Sequence, residues 1–339
     1  MKAVQLSRPG GLDRLEVVDL SEPDGPKRGE VLVRLRASSL NYHDYLIATG
    51  RVSARDRLIP MTDGAGEVLA VGEGVKEFRV GDKVMSVFFP DWIEGAPPNV
   101  PLSQAFERVP GDGIDGCARE LVVGPTNAFT RAPRGFSDAE AATLVCAGLT
   151  AWRALVVEGH LKAGDTVLLQ GTGGVSLFAL QLAKAMGATV VATSSSDEKL
   201  ERLKALGADH LINYRSEPDW GAAAQALTGG RGVDHVLEIG GAATLPQSAA
   251  ASRVGGHVAM IGQLSGQERS LPTMLMMGKQ LRISWMMVGS RAMQLDMVRF
   301  IEANQTRPVL DRCFALSELA HAFRYQESGA HFGKIVIDI

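Results

Sequence analysis

One stretch constrains the fold more than any other. Thr166-Val167-Leu168-Leu169-Gln170 is a short apolar run of the kind that forms a buried strand. It passes directly into Gly171-Thr172-Gly173-Gly174-Val175-Ser176 and then into apolar residues at helical spacing, Leu177, Leu180, Ala183 and Met186. A strand, a glycine turn and a helix in that order open a βαβ unit. The turn reads G-x-G-x-x-G with serine in the last place. Gly171 permits the tight turn, Gly173 lets the backbone approach a pyrophosphate, and the helix start brings unpaired N–H groups and a positive dipole end. Gly171, Thr172, Gly173, Gly174 and Val175 are therefore the candidate cradle for a dinucleotide.

The same rhythm continues. Strand-like runs at 189–193, 210–214, 234–239 and 257–261 alternate with helical patterns such as 197–206. Strands alternating with helices imply right-handed crossovers and a doubly wound parallel sheet, an α/β fold. The second strand of a dinucleotide fold normally ends on a carboxylate that binds the ribose 2′-hydroxyl. Here it ends Thr193-Ser194-Ser195-Ser196. No carboxylate stands there to repel a 2′-phosphate, and Ser194, Ser195, Lys199 and Tyr214 form a candidate 2′-phosphate pocket. The expected cofactor is NADP(H), with NAD(H) as the alternative. Ser196, followed by Asp197 and Glu198, also suits a helix cap.

The first 125 residues differ. Runs at 31–37, 66–72 and 82–87 are punctuated by glycine and proline and predict a mostly antiparallel β domain. Residues 88 to 116, with Pro90, Pro97, Pro98, Pro101 and Pro110, predict a long irregular loop, either functional or a tolerated surface insertion. A chain of 339 residues favours two domains. Its net charge of −3 offers no electrostatic case for nucleic acid or anionic lipid. Cys117, Cys146 and Cys313 show no metal-type spacing and suit a reducing cytosol. The start of the chain does not read as a signal peptide, and no apolar run approaches the roughly 20 residues that span a bilayer. These features predict a soluble cytoplasmic protein.

Further motifs surround the glycine turn: Lys162-Ala163-Gly164-Asp165 before it, Gln181-Leu182-Ala183-Lys184 on its helix, Leu206 to Tyr214 beyond, and Phe332-Gly333-Lys334-Ile335-Val336 at the end. Together they resemble the medium-chain dehydrogenase/reductase superfamily, and within it the zinc-free, quinone-oxidoreductase-like branch. The resemblance covers essentially the whole chain. It implies a GroES-like catalytic domain, residues 1–127 and 290–339, around an inserted Rossmann domain, residues 128–289.

Zinc members of that superfamily carry Cys, His and Cys as catalytic ligands. The matching positions here are Asn41, Thr62 and Cys146. A carboxamide, a hydroxyl and one thiol make a poor zinc site. The family's structural zinc lobe needs four clustered cysteines, and residues 88 to 116 contain none. No metal is expected, and Cys146 is expected to be a small buried residue. The resemblance places Asn41, Tyr42, His43 and Asp44 in the catalytic segment. Asn41 is the candidate donor to a substrate carbonyl, Tyr42 or His43 the candidate proton relay, and Asp44 and Asp63 residues that fix the loop. Read alone, the segment is also compatible with a turn after a strand, its Asn and Asp making local bonds. Gly240, Gly241, Ile261, Gly262, Gly289 and Ser290 match loops that run along the ribose and nicotinamide.

Residues 274 to 297 hold seven of the twelve methionines, and Leu281 to Val288 matches an edge strand that often pairs between subunits. A homodimer is expected, with a plain core or an apolar substrate wall as the alternatives. The implied activity is NADPH-dependent reduction of quinones or α,β-unsaturated carbonyls, a small-molecule reaction without metal. The alternatives are a zinc-independent alcohol dehydrogenase or carbonyl reductase, and a non-catalytic NADPH-binding sensor.

Overall fold

The computed structural model describes residues 1–101, 104–264 and 271–339; Leu102 and Ser103, inside the expected irregular loop, lie outside the described residues. The chain forms two compact units, Met1–Leu149 with Val288–Ile339, and Thr150–Met287. The first stretch carries β1 (Lys2–Leu6), β2 (Leu15–Asp19), β3 (Glu30–Ser39), α1 (Tyr42–Ala48), β4 (Ala65–Val71), β5 (Lys83–Ser86), β6 (Leu121–Pro125), β7 (Phe129–Arg131) and α2 (Asp138–Ala142). A short helix, α3 (Leu149–Trp152), leads into β8 (Thr166–Gln170), α4 (Gly174–Ala185), β9 (Thr189–Ser194), α5 (Asp197–Ala205) and β10 (His210–Asn213). There follow α6 (Trp220–Leu227), β11 (Val233–Glu238), α7 (Leu245–Ala251), β12 (Ser252–Met260), α8 (Thr273–Gly278) and β13 (Arg282–Trp285). The chain then returns through α9 (Arg291–Asn304), β14 (Leu310–Ala315), α10 (Leu319–Glu327) and β15 (Lys334–Asp338).

In the first unit the larger sheet runs β14-β15-β3-β4-β5-β7, with β6 also paired to β3. Its pairs are antiparallel except β14 with β15. β3 shows why: Val31, Val33, Leu35 and Ala37 are buried while Arg34 and Arg36 face solvent, the period-two pattern of a strand with one face on a core. That face packs with Phe78, Phe129, Phe323, Ile335 and Ile337, each worth about 1.5–3 kcal/mol of apolar burial.

The division differs from the expected 127/128 and 289/290. Residues 128–149 join the first unit because β7 extends its sheet by pairing with β5, and α2 packs on β3 and β5. The return falls at 287/288.

The second unit is a six-stranded sheet in the order β10-β9-β8-β11-β12-β13, every pair parallel. Counting β8 as the first strand, this is the 3-2-1-4-5-6 order of a dinucleotide-binding Rossmann fold. The middles of its inner strands, such as Val167 to Leu169 and Val190 to Ala192, are apolar because both faces are covered. Leu168, Val191, Val236 and Val258 lie at the centre of one core with Trp220 and Ile212. β13 is an edge strand. Along it and the preceding segment, Leu271, Met274, Leu275, Met277, Trp285 and Met287 are exposed. Among the described residues no helix is long and apolar enough to cross a membrane.

Candidate active site

The glycine turn sits at the end of β8, in the crevice where strand order reverses. Gly171 adopts φ +70°, a left-handed value that disfavours a side chain, and its N–H donates to Thr193 O at 2.9 Å. Gly173 meets nothing within 4 Å of where a Cβ would stand. Helix α4 starts at Gly174, inside the glycine turn and ahead of the apolar spacing that begins at Leu177, and no side chain caps it. Gly174 and Val175 thus expose first-turn N–H groups, while Thr172 is buried beneath them. Serine is accommodated in the third glycine's place because Ser176 turns its hydroxyl inward and donates to Gln170 O at 2.7 Å. This open, uncapped helix start fits a pyrophosphate.

Two of the four residues expected to hold a 2′-phosphate, Ser194 and Tyr214, meet through the backbone. β10 pairs with β9 so that Asn213 faces Ser194, and Tyr214 N donates to Ser194 O at 3.1 Å. Ser196 caps α5 by accepting from Lys199 N at 3.3 Å, which sets Lys199 in the helix's first turn. Asp197, in the first turn of α5, accepts from Asn213 Nδ2 at 2.6 Å.

Two residues that sequence reasoning passed over tie the neighbouring strand ends together. Gln170 Oε1 accepts from Ile239 N and Gly240 N, each at 3.0 Å, and its Nε2 donates to Glu238 Oε2 at 2.8 Å. Glu238 is fully buried and also accepts from Gly241 N, Thr244 Oγ1 and Ser248 Oγ. Its own carbonyl accepts from Ile261 N and Gly262 N. Gly240, Ile261 and Gly262 are thereby gathered at the strand ends. A polar residue closing each of two strands straight after an apolar pair, Gln170 after Leu168-Leu169 and Glu238 after Val236-Leu237, was the available signal. Ser290 belongs to the other unit, where it is buried and its hydroxyl caps α9 by accepting from Met293 N at 3.2 Å.

In the first unit the segment after β3 is the start of a helix. Asn41 is the N-cap residue of α1, and Asp44 closes the turn by accepting from Asn41 N at 2.9 Å. Asp44 accepts a second N–H, from Thr62, at 2.9 Å. The Asn41 amide is held at both ends. Its Nδ2 donates to Thr62 Oγ1 at 3.3 Å, and its Oδ1 accepts from Lys334 Nζ at 2.6 Å. The Lys334 ammonium also donates to Leu40 O at 2.6 Å and to Asp63 Oδ2 at 3.4 Å. Asp63 in turn accepts from the Ser39 hydroxyl at 2.5 Å. Burial, with the neighbouring Asp63 charge, pushes the Asp44 carboxyl up to about 6 against the pull of His43. Burial also raises Asp63, against the pull of Lys334 and Ser39.

Lys334 is the functional candidate that sequence reasoning missed. The available signal was a lysine opening the apolar strand Ile335-Val336-Ile337. Asn41 and Thr62, two of the positions matching zinc ligands, are bonded to each other. Cys146, the third, is half-buried on the turn 144–148, not the buried residue expected; the most enclosed thiol is Cys117, pushed up to about 12 by burial. Among the described residues no three of His, Cys, Asp and Glu converge as metal ligands.

Tyr42 is exposed and stacks on Tyr45. His43 is sandwiched between Phe106, 5.5 Å away and nearly parallel, and the edge of Phe88. Its Nε2 lies 3.1 Å from Asp112 Oδ2, close enough for an ion pair but out of line for a hydrogen bond. Phe88, Phe106 and Asp112 all come from the irregular loop. That loop is anchored where Gly116 N and Cys117 N donate to Ile59 O and Met61 O, each at 2.7 Å.

Comparison with known proteins agrees with both units. Residues 27–134 match the alcohol dehydrogenase GroES-like domain, and residues 174–303 match the zinc-binding dehydrogenase domain. A zinc-type alcohol dehydrogenase-like protein of Schizosaccharomyces pombe is 42% identical over 97% of this chain and 96% of its own. A solved NAD-dependent alcohol dehydrogenase is 35% identical, with a TM-score of 0.90 and full coverage of both chains. A quinone oxidoreductase from Pseudomonas syringae pv. Tomato DC3000 is 28% identical, with a TM-score of 0.82 over 100% of this chain and 99% of its own. Pyridine-nucleotide binding follows from the Rossmann unit, and the chain belongs to the medium-chain dehydrogenase/reductase superfamily.

Proposed function

We propose that this protein is an NADPH-dependent reductase of quinones or α,β-unsaturated carbonyls that works without a metal. The observation that carries this reading is the buried Lys334 ammonium bonded to Asn41 Oδ1. Around it lie a carboxamide and a hydroxyl where relatives named for zinc would have ligands. That donor set does not fit zinc, and a cation already occupies its midst.

When bound, a reduced nicotinamide supplies the hydride. The chain's own residues handle the charge that develops on the substrate oxygen. Lys334 draws electron density toward Asn41 Oδ1, which strengthens Nδ2 as a donor. One Nδ2 hydrogen is committed to Thr62, and Asp63 also draws on this amide; a carbonyl or quinone oxygen takes the place of that carboxylate contact on binding. Asn41 then acts as an oxyanion donor, with Lys334 as its positioning residue. His43, paired with Asp112 between two aromatic rings, is the group best placed to supply a proton. That pair also favours the second reading, zinc-independent carbonyl or alcohol chemistry, which needs the same relay.

NADP(H) is favoured because Ser194 ends β9 and Ser195 follows it, while Asp197 is engaged by Asn213. The test is nicotinamide oxidation with quinones, enones and simple aldehydes, using NADPH and NADH. Turnover with quinones or enones, a lower KM for NADPH, and a fall in kcat of about tenfold or more in Asn41→Ala are expected. Turnover with aldehydes alone, or a kcat within about twofold of the parent, would overturn the proposal.

A second copy of the chain is the proposed cover for the free edge of β13 and the exposed Met274, Met277, Trp285 and Met287. Light scattering should give about twice the 36.1 kDa chain mass, and a stable mass at 36.1 kDa would refute the pairing.

A further inference from the structure

The sheet of the second unit has another polar cleft, at the end remote from the glycine turn. Three side chains define it. The strand register sets His235 of β11 beside His257 of β12, and His257 beside Arg282 of β13. Residues paired across parallel strands project from the same face, so the three form a row near the strand starts. They open onto a cleft of about 310 Å³.

The row carries unspent hydrogen-bonding capacity. His257 is 2% exposed and neither of its ring nitrogens has a partner among the described residues. His235 is 5% exposed; its Nε2 lies 3.2 Å from Asp165 Oδ2, and its Nδ1 has no partner among the described residues. Buried polar atoms in folded proteins are almost always bonded, so three unpaired nitrogens on two neighbouring rings call for an occupant.

The surrounding charges say what kind. The cleft's two carboxylates are already engaged. Asp234 accepts from Arg231, Arg253 and Thr166 N, which hold its carboxyl well below the usual range although burial opposes them. Asp165 accepts from Lys162 N and faces His235. Arg282 donates only to a carbonyl, Gly159 O at 3.3 Å, and has no carboxylate partner among the described residues. His160 and Lys162 stand exposed at the rim. Burial pushes His257 down to about 3, and Arg282, His235 and His160 push the same way. The lining therefore offers donors and positive charge without a matching anion.

We propose that this cleft binds a small oxyanion, a phosphate or phosphate-like dianion, through Arg282, His257 and His235. A guanidinium fork beside two imidazoles matches the geometry of such a group. Its arrival would also lift the imidazoles toward protonation, so binding takes up a proton.

The test is calorimetric titration of the full chain with sulfate, inorganic phosphate and glycerol phosphate at pH 6 and pH 8. Sulfate keeps its charge across that range, so any pH effect on it belongs to the protein. Three variants locate the site. Arg282→Met and His257→Phe remove donors from the cleft, and Arg282, being exposed, leaves the test standing if the buried change disturbs folding. Gly173→Glu places a carboxylate in the open space of the glycine turn and reports on that separate phosphate site. At the cleft, the parent and Gly173→Glu should bind sulfate equally, and more tightly at pH 6. Arg282→Met or His257→Phe should weaken binding about tenfold or more. Tighter binding of glycerol phosphate than of inorganic phosphate would identify a monoester, and equal binding a free anion; either supports the site. Binding lost in Gly173→Glu but kept in Arg282→Met, or no binding of any probe, would overturn it.

Discussion

Asp63 and Glu238 are both fully buried carboxylates, yet they are held in opposite ways. Asp63, in the first unit, has the Lys334 ammonium at 3.4 Å and the Ser39 hydroxyl at 2.5 Å. Glu238, in the Rossmann unit, is surrounded by neutral donors: the Gln170 amide, the Gly241 N–H and the hydroxyls of Thr244 and Ser248. The contrast matches what each place has to do. Strand ends that converge on a dinucleotide need fixed loops, and neutral hydrogen bonds fix loops. The candidate catalytic amide needs a field as well as a position, and an ammonium supplies both.

Removing the cation should have the larger effect. Lys334→Met leaves Asp63 uncompensated in the core and should cost roughly 3–5 kcal/mol in denaturant unfolding at neutral pH. The sign of its pH dependence follows from Asp63, whose carboxyl is already raised by burial and would rise further without the ammonium. A carboxyl raised in the folded state favours folding most below its unfolded value and loses that advantage as pH rises through the folded value. The deficit of Lys334→Met should therefore be small in acid and grow toward neutrality. Adding Asp63→Asn should restore part of the loss, and strict additivity of the two changes would refute the pairing.

The neutral cluster should be more forgiving. Glu238→Gln turns one acceptor oxygen into an NH₂ that faces existing donors, at a cost of about 1–3 kcal/mol. The Thr244 and Ser248 hydroxyls can rotate to accept, which keeps the loss at the lower end. Because Gln170 and Glu238 set Gly240, Ile261 and Gly262, nucleotide affinity should fall along with stability. A variant with unchanged nucleotide affinity would mean that the cluster supports the fold alone.

The two regions also differed in how much of them the sequence revealed. The glycine turn was readable because its parts are contiguous: β8, Gly171 to Ser176 and α4 follow one another, and each step has its own local signature. Serine in the third glycine's place kept its meaning because its hydroxyl turns back onto Gln170 O. Asn41 to Asp44 were found through resemblance, but their partners were not. Lys334 reaches Asn41 across 293 positions of chain, and no local pattern encodes such a contact. Asp112 and Phe106 were hidden in a segment whose prolines and glycines say only that it is irregular. The short strands β1, β2, β6 and β7 were missed because their pairing depends on distant partners, as when β6 lies against β3. The first boundary was misplaced for the same reason, since only the pairing of β7 with β5 assigns residues 128–149 to the first unit.

The position of β15 has a consequence in time. It lies between β14 and β3 in the larger sheet, so the first unit is split around a strand that comes after every other strand in the chain. During synthesis the Rossmann unit, whose strands are all contiguous, can close while β3 still waits for its neighbour. Lys334 opens that late strand. The ammonium reaches Asn41 and Asp63 only when the sheet is completed, so a half-made chain carries a finished nucleotide fold but not this charged cluster.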